Sequence, residues 1–469
     1  MIDVAELWRS LRQSADPEVV ASLMTIVESG PDKALNRINP VAYATTHGYM
    51  QENVIRTFLH AARLGVFDLS WNVLCPGCGG VLETGPALKM LSQPQYFCSL
   101  CAGDYETSLD DQVEVTFTVN PRIRRIAAHD PNGLSLVDYV TQIFWGSGVD
   151  MPENVTGLIE EITLDSMELG PGERAAMSLT LPQGFVVIFD PVSHTTLFLD
   201  AKGEETRERR SVSVVFNEAH AHAGTVPMQP GPLRILFENK SNRKSLPCVW
   251  LAGDSLHAIF GQRRPFLSAT RLLSNQTFRE LYRTGTLDSE QRLKITSLTV
   301  LFTDLRGSTA LYDRVGDLAA FDLVRSHFGA LLETVALEGG AVVKTMGDAV
   351  MATFPTPDRA VRAALGMRRA MSKLNEARGN EDLALNIGLH EGPCLAVMID
   401  DRQDFFGQTV NVASRVQGLA DPTAILVTKP IIENANVVRI LADVGARVTG
   451  RQSSILRGVS EEVAVYEIR

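Results

Sequence analysis

The sequence predicts an α+β protein of several domains. The chain has 469 residues, more than one domain usually holds. Its pattern changes from helical spacing to two CxxC pairs, then to alternating strands, and finally to mixed strands and helices. We therefore divide it into a helical segment at 1–72, a four-cysteine segment at 73–106, a β-rich domain at 107–255, a helical linker at 256–295 and a C-terminal α+β domain at 296–469.

Composition and charge exclude several classes of protein. Hydrophobic residues make up 45% of the chain and charged residues 21%, as in ordinary globular proteins. The net charge of −11 argues against a nucleic-acid coat, so we do not expect nucleic acid as a partner. No apolar run approaches the ~20 residues of a membrane helix. The first residues, MIDVAELWRS, lack the features of a signal peptide. We expect a cytoplasmic protein with no membrane contact.

Residues 1–72 have the spacing of helices. Apolar residues recur with a 3.6-residue period in 3–12, 17–28 and 52–64, and Gly65 is a typical helix stop. The segment is interpreted as a helical bundle or as a winged-helix-like module.

Four cysteines form the pairs Cys75–Cys78 and Cys98–Cys101, with nineteen residues between the pairs. Two such pairs bring four thiolates within tetrahedral reach of one Zn²⁺. Glycines follow both pairs and allow backbone N–H groups to approach the sulfur atoms. No further ligand is apparent nearby, so we predict a closed, structural zinc ribbon. Rubredoxin-like iron, or a set of redox or structural thiols, are the alternatives.

The next part alternates apolar and polar residues in short runs separated by Gly, Pro and Asn. This pattern predicts an antiparallel sandwich-like domain or barrel. The predicted strands are 113–119, 174–181, 184–189, 194–199, 211–216, 232–239 and 248–253. His220 and His222 are interpreted as loop or surface residues because no third metal ligand is in view. The domain carries no catalytic constellation, so we predict a sensing or protein-contact role. In the linker, 266–283 is predicted to be helical and suited to transmit a conformational change.

In the C-terminal domain, two β-rich runs, Ala341–Met346 and Ala349–Phe354, flank Gly347-Asp348. This spacing predicts a tight hairpin with Asp348 at its exposed tip. Upstream, an apolar strand ends at Asp304. Two carboxylates that face each other across a sheet repel unless a cation lies between them. Hard oxygen ligands of this kind suit Mg²⁺ or Mn²⁺.

A phosphate site is predicted beside these carboxylates. Gly307, Ser308 and Thr309 open the next predicted helix, whose N-terminus favours an anion. Metal-binding carboxylates next to a phosphate site indicate phosphoryl or nucleotidyl transfer. Farther along, Asn411 and Arg415 lie four residues apart and share one face of a helix.

The remaining elements of this domain complete a ferredoxin-like βαββαβ order. A first helix at 319–335, a second at 358–374 and a strand at 384–389 accompany the first strand and the hairpin. The residues of the first helix that have helical apolar spacing are Phe321, Val324, Phe328, Leu331 and Val335.

The segments FTDLRGST, GGAVVKTMGD and DFFGQTVNVASR together resemble the class III nucleotide cyclase family. The resemblance covers about 296–469. It implies that Asp304 and Asp348 bind two divalent metals, with the Leu305 carbonyl as a further ligand. It also implies that Lys344 donates to an adenine ring nitrogen and that Asp404 accepts from the 6-amino group.

The same resemblance assigns roles near the C-terminus. Asn411 and Arg415 match the asparagine and arginine that orient the ribose and stabilise the pentavalent phosphorus. Arg457, in ILRG, stands where the family often has a triphosphate-binding lysine, and arginine keeps that charge. Phe406 stands where many members have tryptophan.

The resemblance implies an adenylate cyclase that makes 3′,5′-cyclic AMP and pyrophosphate from ATP. Each site would use two Mg²⁺ or Mn²⁺ ions and lie between the two chains of a head-to-tail homodimer, since only one such domain is present. The N-terminal half is similar to uncharacterised regions before bacterial cyclases, which implies control by an unnamed ligand or protein. The alternatives are a guanylate cyclase, or a non-catalytic regulator whose zinc ribbon binds a partner or nucleic acid.

Overall fold

The computed structural model describes most of the chain. The described residues are 3–91, 93, 95–217, 222–260, 262–282, 292–308, 313–314, 316–379, 383–399, 402–455, 459 and 462–469. They fall into two units by their contacts. The N-terminal unit comprises 1–86, 90–107 and 111–267, and the C-terminal unit comprises 87–89, 108–110 and 268–469.

The N-terminal unit begins with helices and continues with strands. Its helices are α1 (Val4–Ser14), α2 (Pro17–Ser29), α3 (Pro40–His47), α4 (Gln51–Arg63), α5 (Leu136–Tyr139), α6 (Val155–Ile162) and α7 (Asp254–Ile259). Its strands are β1 (Phe67–Leu74), β2 (Val81–Gly85), β3 (Gln95–Cys98), β4 (Gly103–Glu106), β5 (Val113–Val119), β6 (Val149–Asp150), β7 (Thr163–Ser166), β8 (Arg174–Leu181), β9 (Gly184–Asp190), β10 (Thr195–Ala201), β11 (Arg210–Phe216), β12 (His222–Met228), β13 (Gly231–Asn239), β14 (Cys248–Ala252) and β15 (Gln262–Arg263).

Side-chain caps determine where the first helices begin. The Asp3 carboxylate accepts hydrogen bonds from the backbone N–H groups of Ala5 and Glu6 at the start of α1. Asp16 and Asn39 cap α2 and α3 in the same way, and a proline follows each of them at the first helical position. Such caps satisfy N–H groups that have no partner within the helix. The helices predicted at 3–12, 17–28 and 52–64 are therefore confirmed within a few residues.

One three-stranded sheet, in the order β2-β1-β5, crosses two of the predicted domain borders. β1 pairs with β5 along its length, from Phe67 opposite Val119 to Val73 opposite Val113. The helical segment, the cysteine segment and the first strand of the β-rich region thus share one sheet. Sequence periodicity locates a strand but does not identify its partner, which explains why the borders at 72 and 106 do not coincide with this sheet.

The predicted sandwich is present, but it is not purely antiparallel. Its sheets have the orders β12-β10-β9-β14-β7 and β11-β13-β8. β10 runs parallel to β12, and β11 runs parallel to β13. Both sheets contribute to one core, which includes Ile188, Leu199, Phe216, Ile235 and Val249. The antiparallel prediction was wrong at these two pairs because short connecting segments do not by themselves require neighbouring strands to pair.

Two strands of the sandwich were not predicted, β7 and β12. β12 begins at His222, so the loop interpretation of that residue was wrong. The glycine and proline inside the strand, Gly224 and Pro227, obscured its alternation in the sequence. His220 lies outside the described residues.

The C-terminal unit is built on one sheet covered by helices. Its helices are α8 (Ala269–Leu273), α9 (Gln276–Leu281), α10 (Asp317–Leu337), α11 (Pro357–Arg378), α12 (Gln408–Gly418), α13 (Lys429–Glu433) and α14 (Ala435–Asp443). Its strands are β16 (Leu293–Leu305), β17 (Ala341–Met346), β18 (Ala349–Phe354), β19 (Leu385–Ile399), β20 (Arg402–Phe406), β21 (Ile425–Thr428), β22 (Val448–Ile455) and β23 (Glu462–Ile468).

The strand order is β17-β18-β16-β19-β21-β23-β22, with β20 paired to β19. The chain order β16-α10-β17-β18-α11-β19 is the predicted βαββαβ order, and its four strands pair antiparallel as in a ferredoxin-like sheet. This order places the end of β16 next to the β17–β18 hairpin.

The first helix of the βαββαβ order, α10, buries a face that differs in part from the one the sequence predicted. Leu331 and Val335 are buried as expected, but Phe321 is 66% exposed. Leu323 and His327 are buried instead. The spacing of apolar residues in 319–335 fits either of two neighbouring helix faces. Counting the exposed Phe321 as a core residue shifted the predicted face.

The linker helix predicted at 266–283 is two short helices, α8 and α9. Ser274 ends the first, and the side chain of Asn275 accepts from the backbone N–H of Phe278 to begin the second. A residue that caps a helix so readily interrupts a longer one. No helix among the described residues is long and apolar enough to cross a membrane.

Gly388 on β19 is a point of close approach between the sheet and α12. A Cβ atom there would lie 2.2 Å from the backbone nitrogen of Gln417 and 2.5 Å from its Cα. We expect Gly388→Ala to destabilise the C-terminal unit by at least about 2 kcal/mol because the clash involves backbone that cannot rotate away. Differential scanning calorimetry measures the effect.

The matched control is Gly329→Ala on α10, where a Cβ would meet nothing within 4 Å. We expect it to leave the melting temperature unchanged or slightly raised, since alanine favours a helix. An equally stable Gly388→Ala protein would contradict the close approach of α12 to β19.

Candidate active site

The hairpin between β17 and β18 has the predicted bounds and a two-residue turn. Gly347 has φ +65°, the torsion that a type II′ turn requires at its first central position. Asp348 follows it and is half-buried, so the prediction of an exposed tip was wrong. Its Oδ2 atom is buried and has no hydrogen-bond partner among the described residues. A buried carboxylate oxygen without a donor is a costly arrangement unless something else neutralises it.

Asp304 lies at the end of β16, the strand next to β18. Burial raises the pKa of its carboxyl group, and the neighbouring Asp348 carboxylate raises it further. The two acidic groups therefore lie close enough to repel each other, at the same end of adjacent strands. A divalent cation between them would relieve both the repulsion and the unpartnered Asp348 oxygen. These residues fit a Mg²⁺ or Mn²⁺ site.

The turn after β16 is only partly described. Leu305 is the last residue of the strand and its side chain is buried. Gly307 has φ +70°, which allows the chain to turn sharply before Ser308. Thr309 lies outside the described residues. The predicted phosphate-binding role of this turn stays a prediction.

Lys344 and Asp404 come together, although sixty residues separate them in sequence. The Lys344 Nζ atom lies 2.6 Å from Asp404 Oδ2. The lysine side chain is 40% exposed and the aspartate side chain 11% exposed. The other carboxylate oxygen of Asp404 accepts from the backbone N–H of Phe405. The pair therefore presents one donor and one acceptor side by side, with the lysine end open to solvent.

Asn411 and Arg415 lie on α12, which follows β20 after Gly407. Both side chains are exposed, while Val412, Ala413 and Val416 on the other face are buried. Among the described residues, no hydrogen bond or ion pair joins this exposed face to Asp304 or Asp348. Phe406, at the end of β20, is 62% exposed. Arg457 lies outside the described residues.

Two residues near these groups were not singled out from the sequence. His327 is fully buried on α10, and burial lowers the pKa of its imidazole while Asp348 acts in the opposite direction. Arg279 on α9 donates to backbone carbonyls of β17 and β20. The spacing of His327 with Leu323 and Leu331 indicates a core face. No local pattern indicates the contacts of Arg279.

The four predicted cysteines converge in the N-terminal unit. Cys75 follows β1, and Cys98 and Cys101 lie at the β3–β4 turn. All four ligand atoms lie within 4.8 Å of one another. The Cys75–Cys101 and Cys78–Cys98 sulfur pairs are each 3.7 Å apart. A tetrahedral site with Zn–S bonds of about 2.3 Å has edges of about 3.8 Å.

The four thiols of the cluster act on one another, and a backbone donor contacts one of them. The backbone N–H of Gly80 donates to the Cys78 sulfur, as the glycines after the pair predicted. Hydrogen bonds with Cys101, and to a smaller extent with Cys78 and Cys98, lower the pKa of Cys75. Hydrogen bonds with Cys101 and Cys75 raise the pKa of Cys78 and Cys98. The donor set and its spacing fit a structural zinc ion, while the identity of the metal stays a prediction.

Comparison with known families assigns both parts of the chain. A model described as "Family of unknown function (DUF5939)" matches residues 1–280, more than half of the chain. The chain belongs to the DUF5939 family. A second model, for the adenylate and guanylate cyclase catalytic domain, matches residues 291–469. The C-terminal part of this DUF5939 protein is therefore a class III nucleotide cyclase catalytic domain, as the sequence motifs predicted.

Curated relatives match the cyclase domain of this DUF5939 protein. It is 28% identical over 187 residues to "Adenylate cyclase" of Anabaena cylindrica, an alignment that covers 37% of this chain and 36% of the relative. It is 34% identical over 131 residues to "Adenylate cyclase 2" of Rhizobium meliloti, covering 25% of this chain and 36% of the relative. The chain thus spans about a third of the length of these two relatives.

Solved structures also resemble this part of the DUF5939 protein. The adenylyl cyclase CyaB from P. aeruginosa is 24% identical, with a TM-score of 0.34, covering 38% of this chain and 96% of that one. The guanylyl cyclase Cya2 is 21% identical, also with a TM-score of 0.34, covering 39% of this chain and 94% of that one.

Replacing one cluster cysteine tests the metal site. We expect the purified protein to carry about one zinc per chain and Cys98→Ser to lose it, because three thiolates bind Zn²⁺ less tightly than four. Mass spectrometry of metals gives the stoichiometry. Cys248→Ala is the control: it removes another buried thiol of the same unit that is outside the cluster. Iron in place of zinc, or no metal in the unmodified protein, would overturn the zinc assignment.

Proposed function

We propose that this protein is an adenylate cyclase that converts ATP to 3′,5′-cyclic AMP and pyrophosphate. The observation that carries the proposal is the Lys344–Asp404 pair, 2.6 Å apart in the cyclase domain. Both curated relatives described above are named adenylate cyclases, which agrees with it.

The pair supports adenine because its hydrogen-bonding pattern matches that base. Lys344 donates to a ring nitrogen, and Asp404 Oδ2 accepts from the 6-amino group. Guanine carries an oxygen at position 6, which would face the Asp404 carboxylate as acceptor against acceptor. Buried polar groups without a partner discriminate strongly between such substrates.

The carboxylates at the ends of β16 and the hairpin bind the metals in this proposal. Asp304 and Asp348 would hold two divalent ions, with the Leu305 carbonyl as an added ligand. When bound, such ions lower the pKa of the ribose 3′-hydroxyl and neutralise phosphate oxygens. The unpartnered Asp348 oxygen and the raised pKa of Asp304 both support a cation here.

The exposed face of α12 supplies the remaining groups. The ribose 3′-oxygen forms a bond to the α-phosphorus, the bond from that phosphorus to the bridging oxygen breaks, and pyrophosphate leaves. The 3′-hydroxyl proton passes to solvent. Asn411 orients the ribose, and Arg415 meets the charge that develops on the phosphoryl oxygens. Arg457 and the 307–309 turn contact the triphosphate.

Each complete site takes residues from two chains in this proposal. Lys344 and Asp404 lie in one chain with Asn411 and Arg415, whose side chains are exposed. The metal-binding aspartates of a second copy would face them. A head-to-tail homodimer with two equivalent sites follows, since an interface that joins two different half-sites forms twice around a twofold axis.

Metal-dependent turnover tests the function. We expect purified protein to form cyclic AMP from ATP with Mg²⁺ or Mn²⁺, and to turn GTP over at least tenfold more slowly. Asp304→Asn removes a metal ligand, so activity should fall by about 10²-fold or more. Chromatography of the products gives both rates.

The control for that variant is Asp322→Asn, which neutralises an exposed carboxylate on α10 of the same domain. It should keep full activity. A preference for GTP would make the protein a guanylate cyclase. No cyclic product from either nucleotide would leave the non-catalytic regulator as the correct interpretation.

Mixing two inactive variants tests the shared site. Asp348→Ala lacks a metal ligand and Arg415→Ala lacks the transition-state cation, so each alone should be inactive. In a mixed dimer one of the two sites has neither change. Random exchange of chains should restore about a quarter of the unmodified activity. Mixed dimers isolated with two affinity tags that remain inactive would refute the two-chain site.

A further inference from the structure

Arg279 binds the backbone on both sides of the Lys344–Asp404 pair. Its Nη2 atom donates to the Val343 carbonyl at 3.3 Å and to the Gln403 carbonyl at 2.8 Å. Val343 immediately precedes Lys344, and Gln403 immediately precedes Asp404. One guanidinium group therefore ties β17 to β20 one residue away from each member of the pair.

The bond to Val343 depends on an irregularity of β17. Val342 pairs with Ala352 and Lys344 pairs with Met351, so Val343 is an extra residue in the strand. A bulge of this kind leaves a residue without a regular ladder partner. Arg279 donates a hydrogen bond to the Val343 carbonyl, which the bulge leaves without a partner in the ladder.

Burial of the Arg279 guanidinium group carries a desolvation cost. Desolvation lowers the pKa of Arg279, and the Asp404 carboxylate acts in the opposite direction. Its Nη1 atom is buried with no hydrogen-bond partner among the described residues. Desolvation of the guanidinium and the unpartnered Nη1 atom both oppose the stabilisation that its two hydrogen bonds provide. Stability alone is therefore a weak reason for an arginine here.

The rest of α9 fixes the arginine in place. The Gln276 backbone N–H donates to the Gly340 carbonyl at 3.1 Å, and the Gln276 side chain accepts from the Val342 N–H at 2.9 Å. The Gln403 side chain lies 3.5 Å from the Leu273 carbonyl, just before α9. The two Gln276 bonds lie along the edge of β17 that does not face β18, and the Gln403 bond holds β20 to the preceding helix, so α9 has little freedom to slide along β17.

We propose that Arg279 is a positioning residue for base selection. By holding the Val343 and Gln403 carbonyls on one nitrogen, it sets the distance between β17 and β20 and thereby the spacing of the Lys344 donor and the Asp404 acceptor. Without it, the bulge relaxes and the pair no longer matches the two hydrogen-bonding positions of adenine. This inference rests on the proposed use of the pair to recognise ATP.

The test compares ATP with GTP in Arg279→Met, which keeps the length of the side chain and removes its donors. We expect the ratio of kcat/KM for ATP to that for GTP to fall about tenfold, mainly through KM for ATP. Arg279→Lys keeps one charged donor and should recover part of the ratio. Arg439→Met, an exposed arginine on α14, is the control and should change nothing.

A double-variant cycle separates positioning from general structure. Lys344→Glu/Asp404→Cys should lower the ratio by itself, and adding Arg279→Met should lower it no further, because the pair to be positioned is gone. Equal losses for ATP and GTP in Arg279→Met, with an unchanged ratio, would overturn the proposal. If that variant does not fold, Arg279→Gln, whose side chain is too short to reach both carbonyls, takes its place, and an unchanged ratio in that variant would overturn the proposal equally.

Binding measurements distinguish failure of this inference from failure of the proposed function. Fluorescent 3′-deoxy-ATP and 3′-deoxy-GTP lack the attacking hydroxyl, so they report base recognition without turnover. A protein that makes no cyclic nucleotide but prefers the adenine analogue, and loses that preference in Arg279→Met, refutes the cyclase and keeps the positioning role. A protein that forms cyclic AMP, and in which Arg279→Met leaves the preference for the adenine analogue unchanged, keeps the cyclase function and refutes the positioning role.

Discussion

Repulsion between two carboxylates at one end of a sheet is the constraint on which the cyclase domain depends. The βαββαβ order puts the end of β16 next to the β17–β18 hairpin, which brings Asp304 and Asp348 together. The fold thereby holds negative charge that water only partly screens, and one Asp348 oxygen has no donor within the described part of the chain. In the proposed function a divalent cation supplies the counter-charge, so metal binding and folding of this edge would be linked.

Local patterns gave most of the elements. The hairpin, strands such as 113–119 and 174–181, and the convergence of four cysteines follow from spacing within a few residues or from the chemistry of CxxC pairs. The pairing of strands did not follow, because a strand's alternation is the same whichever neighbour it has. Parallel β10–β12 and the sheet that joins β1 to β5 depend on contacts between segments distant in sequence.

The residues of the candidate site show the same division between features that local sequence patterns predict and features that depend on tertiary packing. The residue types of the metal, base and phosphate groups were recognisable as motifs, and the 2.6 Å approach of Lys344 to Asp404 agrees with that interpretation. The half-buried state of Asp348 and the role of Arg279 were not recognisable from the sequence. Both depend on the residues that pack against the motif. Arg415 and Asn411 were predictable as one helical face, but their exposure required the packing of α12 on β19.

The helix α9 has a consequence for how the chain can be divided. The DUF5939 match ends at residue 280, inside α9, and the cyclase match begins at 291. A cut between the two matches would therefore remove the hydrogen bonds that Gln276 and Arg279 make to β17. An uncapped edge strand is a template for aggregation. The catalytic domain excised at the border of its family match would thus expose a strand edge able to pair with other molecules. The intact polypeptide keeps this edge covered.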